Sequence, residues 1–237
     1  MAQIMMRLDK YLADMSLGSR KDVKELIKKK RVFVDGVLAK SGDQKVGETS
    51  EVRVDGEVLH YVSYEYYLLN KPAGYLSATA VPKYPVVVDL IKSQRKDLFP
   101  VGRLDRDAEG VLLITNDGQL AHDLLLPKYH VHKQYYVEVE NDLPPDASAR
   151  FKEPMTFKEF VAAPAVAYEQ LTPRSAYLTI AEGKFHQVKR MFAALGCPVS
   201  YLERVSFAFL DLRGLKRGES RALEAAEVAA LKALRNQ

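Results

Sequence analysis

The chain contains a single cysteine, Cys197, among its 237 residues. One thiol cannot form an internal disulfide, and it excludes a zinc site built from several cysteines. Long apolar runs are also missing, since none approaches the ~20 residues that a transmembrane helix requires. The first seven residues hold no apolar segment long enough for a secretory signal. We therefore expect a cytoplasmic protein with no membrane partner, in which Cys197 is a buried small hydrophobic residue.

The glycine-rich fingerprints of nucleotide-binding proteins are missing as well. Neither the P-loop nor the dinucleotide-binding pattern of spaced glycines occurs in the chain, so we expect no nucleotide cofactor. The five histidines offer no metal site, because His130 and His132 share a loop with no third ligand in view. The sequence therefore predicts a protein that uses neither metal nor cofactor.

The charge that the chain does carry is unevenly distributed. Residues 1–48 hold 11 Lys and Arg against 7 Asp and Glu, which accounts for the whole net charge of +4. Seven of these basic residues lie between Arg20 and Arg31. A basic module beside a neutral one indicates an anionic partner, although a solvated lysine-rich helix face would give the same pattern.

The first sixty residues have the pattern of two short helices followed by β-hairpins. An amphipathic helix is predicted from the i, i+3, i+4, i+7 spacing of Leu8, Tyr11, Leu12 and Met15. Ser19 is a suitable N-cap for a second helix, whose apolar face would consist of Val23, Leu26 and Ile27. Asp-Gly pairs at 35–36 and 55–56 predict tight hairpin turns, because both turn positions favour a positive φ.

The remaining chain, residues 61–237, is predicted to form a second and larger domain after a first domain of residues 1–60. Apolar runs and turn signals predict strands at 64–69, 110–115, 135–139, 176–180 and 201–212. Helices are predicted at 119–126, 186–195 and 225–234, and Gly196 would end the second of them. Segment 86–91 fits either a strand or a helix. Without regular βαβ alternation, the pattern favours an α+β fold with a mixed, largely antiparallel sheet.

A carboxylate-rich loop precedes the strand predicted at 110–115. Asp105, Asp107 and Glu109 match the opening of a calcium-binding EF-hand loop, but Asn116 at the twelfth place cannot supply the bidentate carboxylate. Closely spaced carboxylates would also suit glycoside hydrolysis. The residues alone favour a third interpretation, a solvated acidic loop.

A family resemblance favours a fourth interpretation over these three. Residues 102–122, which begin Gly-Arg-Leu-Asp-Arg-Asp-Ala-Glu-Gly, resemble the central motif of the RsuA/RluB group of pseudouridine synthases. Three further matches follow the family's order, at Asn70–Gly74, Lys133–Val137 and Glu182–Met191. The first 48 residues resemble the RNA-binding S4 domain, on Arg7–Leu12, Ser19-Arg20 and Arg31–Gly36. The amino-acid sequence of the last motif and the overall length are most similar to the RsuA branch, which acts on small-subunit ribosomal RNA.

The resemblance implies a monomeric enzyme that flips one uridine of small-subunit (16S) ribosomal RNA, naked or partly assembled, and isomerises it to pseudouridine. Asp105 would be the nucleophile, Tyr135 would stack on the uracil, and Lys189 would pair with the aspartate. RNA contacts in the S4-like domain would come from Arg7, Lys10, Ser19, Arg20, Lys21, Lys24, Lys28 and Arg31. In the catalytic domain they would come from Arg103, Lys71 and Arg190, although a structural role is equally open for Lys71.

One position departs from the family's usual pattern, because Ala108 occupies a place where threonine is common. The hydrogen bond of that hydroxyl is lost, while the proposed nucleophile is unaffected. Three alternatives stay open at this point: a pseudouridine synthase of large-subunit RNA, a non-catalytic ribosome assembly factor, and an RNA glycosidase that releases free uracil.

Overall fold

The computed structural model describes residues 5–15, 17–47, 49–59, 63–93 and 95–234. The chain divides into two compact units. The first comprises Met1–Glu65 with Lys92–Leu98, and the second comprises Tyr66–Ile91 with Phe99–Gln237. The domain boundary predicted between residues 60 and 61 lies outside the described residues.

The first unit combines two helices with short antiparallel strands. Its helices are α1 (Leu8–Asp14) and α2 (Arg20–Lys28), and its strands are β1 (Met6–Arg7), β2 (Val32–Val34), β3 (Val37–Leu38), β4 (Lys45–Val46), β5 (Val52–Val54) and β6 (Glu57–Leu59). Strands β3, β2, β5 and β6 form one sheet in that order, and β1 pairs with β4. The apolar faces of both helices and of the sheet share one buried core.

Local sequence signals explain how this unit folds. Ser19 caps α2 as predicted, because its hydroxyl accepts the Asp22 N–H while the Asp22 carboxylate accepts the Ser19 N–H. Asp35 and Gly36 have φ of 51° and 76° at the first hairpin turn, and both residues of the 55–56 pair are also positive, at 54° and 87°. These are the conformations that a two-residue hairpin turn requires, so both hairpin predictions are confirmed.

The second unit is built around a large sheet with helices packed against it. Its strands are β7 (Tyr66–Lys71), β8 (Phe99–Pro100), β9 (Glu109–Thr115), β10 (Lys133–Val139), β11 (Met155–Thr156), β12 (Val161–Ala162), β13 (Ala167–Thr172), β14 (Ser175–Ile180), β15 (Val199–Phe207), β16 (Leu210–Asp211) and β17 (Ser220–Ala222). Its α-helices are α3 (Gly118–Leu125), α4 (Ala147–Phe151), α5 (Gln187–Ala193) and α6 (Ala225–Ala233). The part of this unit that the structure describes also contains two short 3₁₀ helices, Val87–Leu90 and Pro127–Tyr129.

The main path of the large sheet runs β13-β14-β10-β15-β9-β7-β17, with β8 paired to β9 and β16 paired to β15. Among these described strands, β9 and β15 are parallel and the other pairs are antiparallel. The predicted α+β fold with a mixed, largely antiparallel sheet is therefore confirmed. None of the helices in the described ranges is long and apolar enough to cross a bilayer.

One sequence prediction for this unit was wrong in detail. The single strand predicted at 201–212 is a hairpin, because Ala208 adopts a φ of 52° and Leu210 pairs back with Phe207. Segment 86–91, for which strand and helix were both open, contains the 3₁₀ helix Val87–Leu90. The helix predicted at 186–195 is present as α5. Gly196 ends it with a φ of 78°, and the Cys197 N–H donates to the Phe192 carbonyl.

Candidate active site

Three separate elements bring the predicted catalytic residues to one pocket. Asp105 lies in the loop between β8 and β9, Tyr135 lies on β10, and Lys189 lies on α5. All three side chains line the same pocket, together with Arg103 and His186. Residues separated by up to 84 positions in the sequence are therefore neighbours in space.

The Asp105 carboxylate faces two nitrogen groups across this pocket. The Lys189 ammonium lies 3.1 Å from its Oδ2, and His186 Nε2 lies 3.3 Å from its Oδ1. The carboxylate is only partly covered, with 24% of the side chain exposed. It is thus accessible to a ligand while a cation beside it stabilises its negative charge.

Lys189 is itself held by a second carboxylate. Its Nζ donates to both oxygens of Asp107, at 2.7 and 2.9 Å. Burial opposes the charge of Lys189, but the hydrogen bonds to Asp107 and Asp105 outweigh it and raise the pKa of the ammonium. The same contact lowers the pKa of the Asp107 carboxyl. Lys189 is therefore a fixed positive charge at neutral pH, oriented by Asp107 and directed at Asp105.

Tyr135 forms an aromatic wall of the pocket. It lies on the buried face of β10, between β14 and β15, and is 7% exposed. Among the described residues, none is hydrogen-bonded to its hydroxyl. A planar ring at this place can stack on a base that enters the pocket, and its hydroxyl is available to that base.

The backbone of the Asp105 loop is held by hydrogen bonds from side chains on both the N-terminal and the C-terminal side of Asp105. On the N-terminal side, the Ser77 hydroxyl accepts the Leu104 N–H at 3.0 Å and donates to the Leu104 carbonyl at 2.8 Å. On the C-terminal side, Lys71 Nζ donates to the carbonyls of Ala108 and Arg106, at 2.7 and 3.3 Å. These hydrogen bonds anchor the backbone of the loop that carries the carboxylate.

The burial of Lys71 contradicts the predicted RNA contact and agrees with the structural role that the sequence also left open. Its side chain is fully buried, with 0% exposure, and its ammonium donates to three backbone carbonyls, the third being that of Pro72. Burial lowers the pKa of Lys71 to about 8. A lysine enclosed in this way supports the loop that carries Asp105 and cannot reach a phosphate.

A second anchor at the end of the loop was not found from the sequence. Glu109 accepts the Ala73 N–H with one oxygen, while its other oxygen accepts the Tyr201 hydroxyl at 2.8 Å and the Arg217 guanidinium at 2.9 Å. Burial, with the hydrogen bond to Glu109 next, raises the pKa of Tyr201. Tyr201 and Arg217 lie outside the matched motifs, so no local pattern pointed to them.

The other residues predicted for the catalytic domain lie around the pocket. Arg103 is exposed and lines its edge. Arg190 projects from α5, is ion-paired with Glu159 at 2.5 Å, and lies over the rings of Phe160 and Phe185. Ala108, at the position where the family often has threonine, is buried and lines the same pocket.

The predicted RNA-contacting residues of the first unit divide into two sets. Those of the first set are exposed along α2, away from its buried Val23 and Ile27, and are Arg20, Lys21, Lys24 and Lys28. Those of the second set already have acidic partners: Arg7 with Asp9, Lys10 with Asp14, and Arg31 with Asp55. The Ser19 hydroxyl is engaged in capping α2. The exposed set forms the basic stripe of α2, the stronger candidate for a phosphate-contacting surface.

No group of three or more His, Cys, Asp or Glu side chains within the described ranges is arranged to hold a metal ion. The chemistry that the pocket itself offers is that of a charged carboxylate, a neighbouring ammonium, an imidazole and an aromatic ring. Such a set suits nucleophilic attack on a bound base or sugar.

Comparison with known proteins places this arrangement in a family. The model of the RNA pseudouridylate synthase family matches residues 65–194, and that of the S4 domain matches residues 6–52. A solved structure described as a pseudouridylate synthase superimposes with a TM-score of 0.67 at 32% identity, covering 95% of this chain and 99% of that one.

Full-length relatives agree with these matches. An uncharacterized RNA pseudouridine synthase of Bacillus subtilis (strain 168) is 42% identical, over 94% of this chain and 97% of its own. Ribosomal large subunit pseudouridine synthase B of the same organism is 37% identical over 97% of both chains. Ribosomal small subunit pseudouridine synthase A of Yersinia pestis is 37% identical over 95% of this chain and 98% of its own. The chain therefore belongs to the RNA pseudouridine synthases, in the RsuA/RluB family that combines a catalytic domain with an S4 domain.

Proposed function

We propose that this pseudouridine synthase modifies a uridine of small-subunit ribosomal RNA and that Asp105 is its nucleophile. The observation that carries the proposal is the position of the Asp105 carboxylate, which lies 3.1 Å from Lys189 Nζ in a pocket that Tyr135 also lines. The likeness to small subunit pseudouridine synthase A of Yersinia pestis, over 98% of that protein, supports the choice of RNA.

A second candidate substrate is large-subunit ribosomal RNA. Large subunit pseudouridine synthase B of Bacillus subtilis has the same 37% identity to this chain. Two features favour small-subunit RNA. The amino-acid sequence of Phe185–Met191, in the last motif, and the overall length both resemble the RsuA branch. Sequence identity alone does not distinguish the two candidate RNA substrates.

The reaction rearranges bonds within one nucleotide. The C1′–N1 bond breaks, the uracil turns, and C5 bonds to C1′; C5 then loses its proton and N1 gains one, so the atoms balance. In this proposal the target uridine leaves its stack, at a cost of a few kcal/mol, and its base packs against Tyr135. The Asp105 carboxylate then bonds to C1′ as the C1′–N1 bond breaks, and it is displaced from C1′ when the C5–C1′ bond forms.

Lys189 and Asp107 have supporting roles in this scheme. In a partly buried site, a cation beside a carboxylate compensates its negative charge electrostatically. Lys189 supplies that cation, and the bidentate contact with Asp107 fixes its direction. Arg103, exposed at the pocket edge, is placed to bind the backbone of the flipped nucleotide.

The substrate assignment is tested by mapping pseudouridine in ribosomal RNA. We expect the purified protein to modify one position in small-subunit RNA, naked or partly assembled, and none in large-subunit RNA. Modification restricted to large-subunit RNA would favour the second candidate. Release of free uracil would instead indicate a glycosidase, and no product on either RNA would contradict both substrates.

The basic stripe of α2 is proposed to bind RNA phosphates. Replacing Arg20, Lys24 and Lys28 with glutamine is expected to weaken RNA binding about 100-fold at low salt, since each phosphate contact releases counterions. The slope of log affinity against log salt should fall by roughly one for each contact removed. Fluorescence anisotropy with labelled RNA between 50 and 200 mM salt measures both quantities.

A charge-matched control separates this effect from a general loss of positive charge. Lys40, Lys152 and Lys216 are exposed and lie outside α2, so their joint replacement with glutamine removes the same charge elsewhere. We expect this control to change RNA affinity less than about fivefold. Equal losses in the two triple variants would mean that α2 has no specific role.

A further inference from the structure

An exposed aromatic ring lies beside the Asp105 pocket and has no role in the scheme above. Phe185 is 68% exposed, so it contributes little to the core. Its ring stacks on the imidazole of His186, with the centroids 3.8 Å apart and the planes 21° from parallel. His186 Nε2 is in turn 3.3 Å from Asp105. The exposed ring of Phe185 therefore stacks directly on His186, the residue that contacts the proposed nucleophile.

Positive charges and a second ring surround Phe185. The Arg190 guanidinium lies 5.5 Å from the centroid of Phe185 and 5.4 Å from that of Phe160. The Lys184 ammonium lies 5.4 Å from the Phe160 centroid and is ion-paired with Glu182 at 3.2 Å, and the residue also lines the Asp105 pocket. We refer to these side chains as the Phe185 platform, which consists of Phe160, Lys184, Phe185, His186 and Arg190.

Exposed rings interleaved with cations are the combination that binds single-stranded nucleic acid. An aromatic face stacks on any base, and nearby arginine and lysine side chains hold the backbone phosphates. Leaving a phenylalanine ring mostly in water gains the folded protein almost nothing, because the stabilisation from burying an apolar side chain scales with the area removed from water. The position of the ring, next to a pocket that receives one base, therefore indicates a ligand that carries a second base.

Base flipping creates a need for such a surface. When one nucleotide leaves the stack, the nucleotide beside it loses a stacking partner, and that loss is part of the cost of flipping. A protein ring that replaces the lost partner reduces this cost. The 3.8 Å spacing of Phe185 and His186 is close to that of stacked aromatic groups, so the platform continues the stack outward from the pocket.

We propose that the Phe185 platform binds the nucleotide adjacent to the target uridine, with its base stacked against Phe185. The ligand class is an unpaired ribonucleotide, recognised by ring stacking on Phe185, while Arg190 and Lys184 beside it are already ion-paired with Glu159 and Glu182. This inference rests on the proposed function, since it requires a flipped uridine at Asp105. Phe185 is thus a substrate-positioning residue, whose loss weakens RNA binding more than it slows the chemical step.

The test uses the full-length protein carrying Asp105→Asn, which we expect to bind RNA without converting it. The probe is a short single-stranded RNA with one uridine and the fluorescent base 2-aminopurine next to it. Adding Phe185→Ala is expected to raise Kd about tenfold and to leave the bound 2-aminopurine brighter, because stacking quenches it. Phe185→Trp should restore both the affinity and the quenching.

Phe209 provides the matched control. Its ring is 41% exposed, and it lines a separate cavity with Tyr129 and His132. Phe209→Ala should leave both the affinity and the fluorescence unchanged. The proposal is overturned if Phe185→Ala matches its parent in both readouts, or if the parent itself neither binds nor quenches the probe.

Activity measurements give an independent readout on any ribosomal RNA that the wild-type protein modifies. Phe185→Ala should raise KM about tenfold while changing kcat less than about threefold. An equal fall in kcat at constant KM would place Phe185 in the chemical step and would also overturn the proposal. Because the fluorescence assay needs no turnover, it separates a failure of the platform from a failure of the proposed substrate.

Discussion

Asp105→Asn is expected to reduce pseudouridine formation by about 10⁴-fold or more while the protein stays folded and binds RNA. The amide has nearly the shape of the carboxylate and can still accept the Lys189 hydrogen bond, but it has no negative charge with which to attack the nucleotide. Since C5 loses its proton in the reaction, release of tritium from RNA labelled at C5 of uridine measures the rate directly. RNA affinity should hold or increase, because a negative charge facing the phosphates is removed.

Asp107→Asn is the appropriate comparison. Asp107 also contacts Lys189, but its side chain is 75% exposed and it does not line the pocket. Lys189 keeps its contact with Asp105 in this variant, so we expect a loss of about tenfold or less. If both variants lost activity equally, or if Asp105→Asn kept more than about 1% of it, the assignment of the nucleophile would be wrong.

Much of the fold was predictable because its signals are local. The Ser19 cap depends on an aspartate three residues later, and the Asp-Gly hairpins depend on two adjacent residues that tolerate a positive φ. The apolar run at 110–115 became strand β9, where every residue of the run is buried, because a short apolar run bounded by turn signals is typical of a buried strand. The turn at Ala208 gave no such signal, because alanine rarely adopts a positive φ and the conformation there is set by the pairing of β15 with β16.

The site was less accessible to sequence reasoning than the fold. Taken alone, the residues around Asp105 favoured a solvated loop, and the grouping with Tyr135 and Lys189 came from a family resemblance. Burial decides between the two roles that the sequence left open for Lys71, an RNA contact and a structural role. The carbonyls of Arg106 and Ala108 satisfy its ammonium inside the protein. Such partners are set by tertiary structure and leave no mark on the local sequence.

The close approach of β9 and β15 accounts for the second large expected effect, that of Gly110→Ala. Gly110 has a φ of 100°, and a Cβ built on it would lie 2.2 Å from the carbonyl oxygen of Arg204 on the parallel strand β15. Alanine is strained at this φ, and the obstacle is backbone, which cannot rotate away as a side chain could. The two strands must separate, so we expect a loss of about 3 kcal/mol or more in the free energy of unfolding, measured by urea denaturation.

The same displacement should reduce activity, because Gly110 directly follows the loop that carries Asp105. Gly118→Ala is the matched control: Gly118 begins α3, and no atom lies within 4 Å of the place that a Cβ would occupy there. Alanine at this position reduces the conformational entropy of the unfolded chain and has a higher helix propensity than glycine. The free energy of unfolding should therefore increase by about 0.5 kcal/mol. If strain at Gly110 is the cause, the two glycine substitutions must change the free energy of unfolding in opposite directions. A Gly110→Ala protein as stable as the wild type would show that β9 and β15 can separate at little cost.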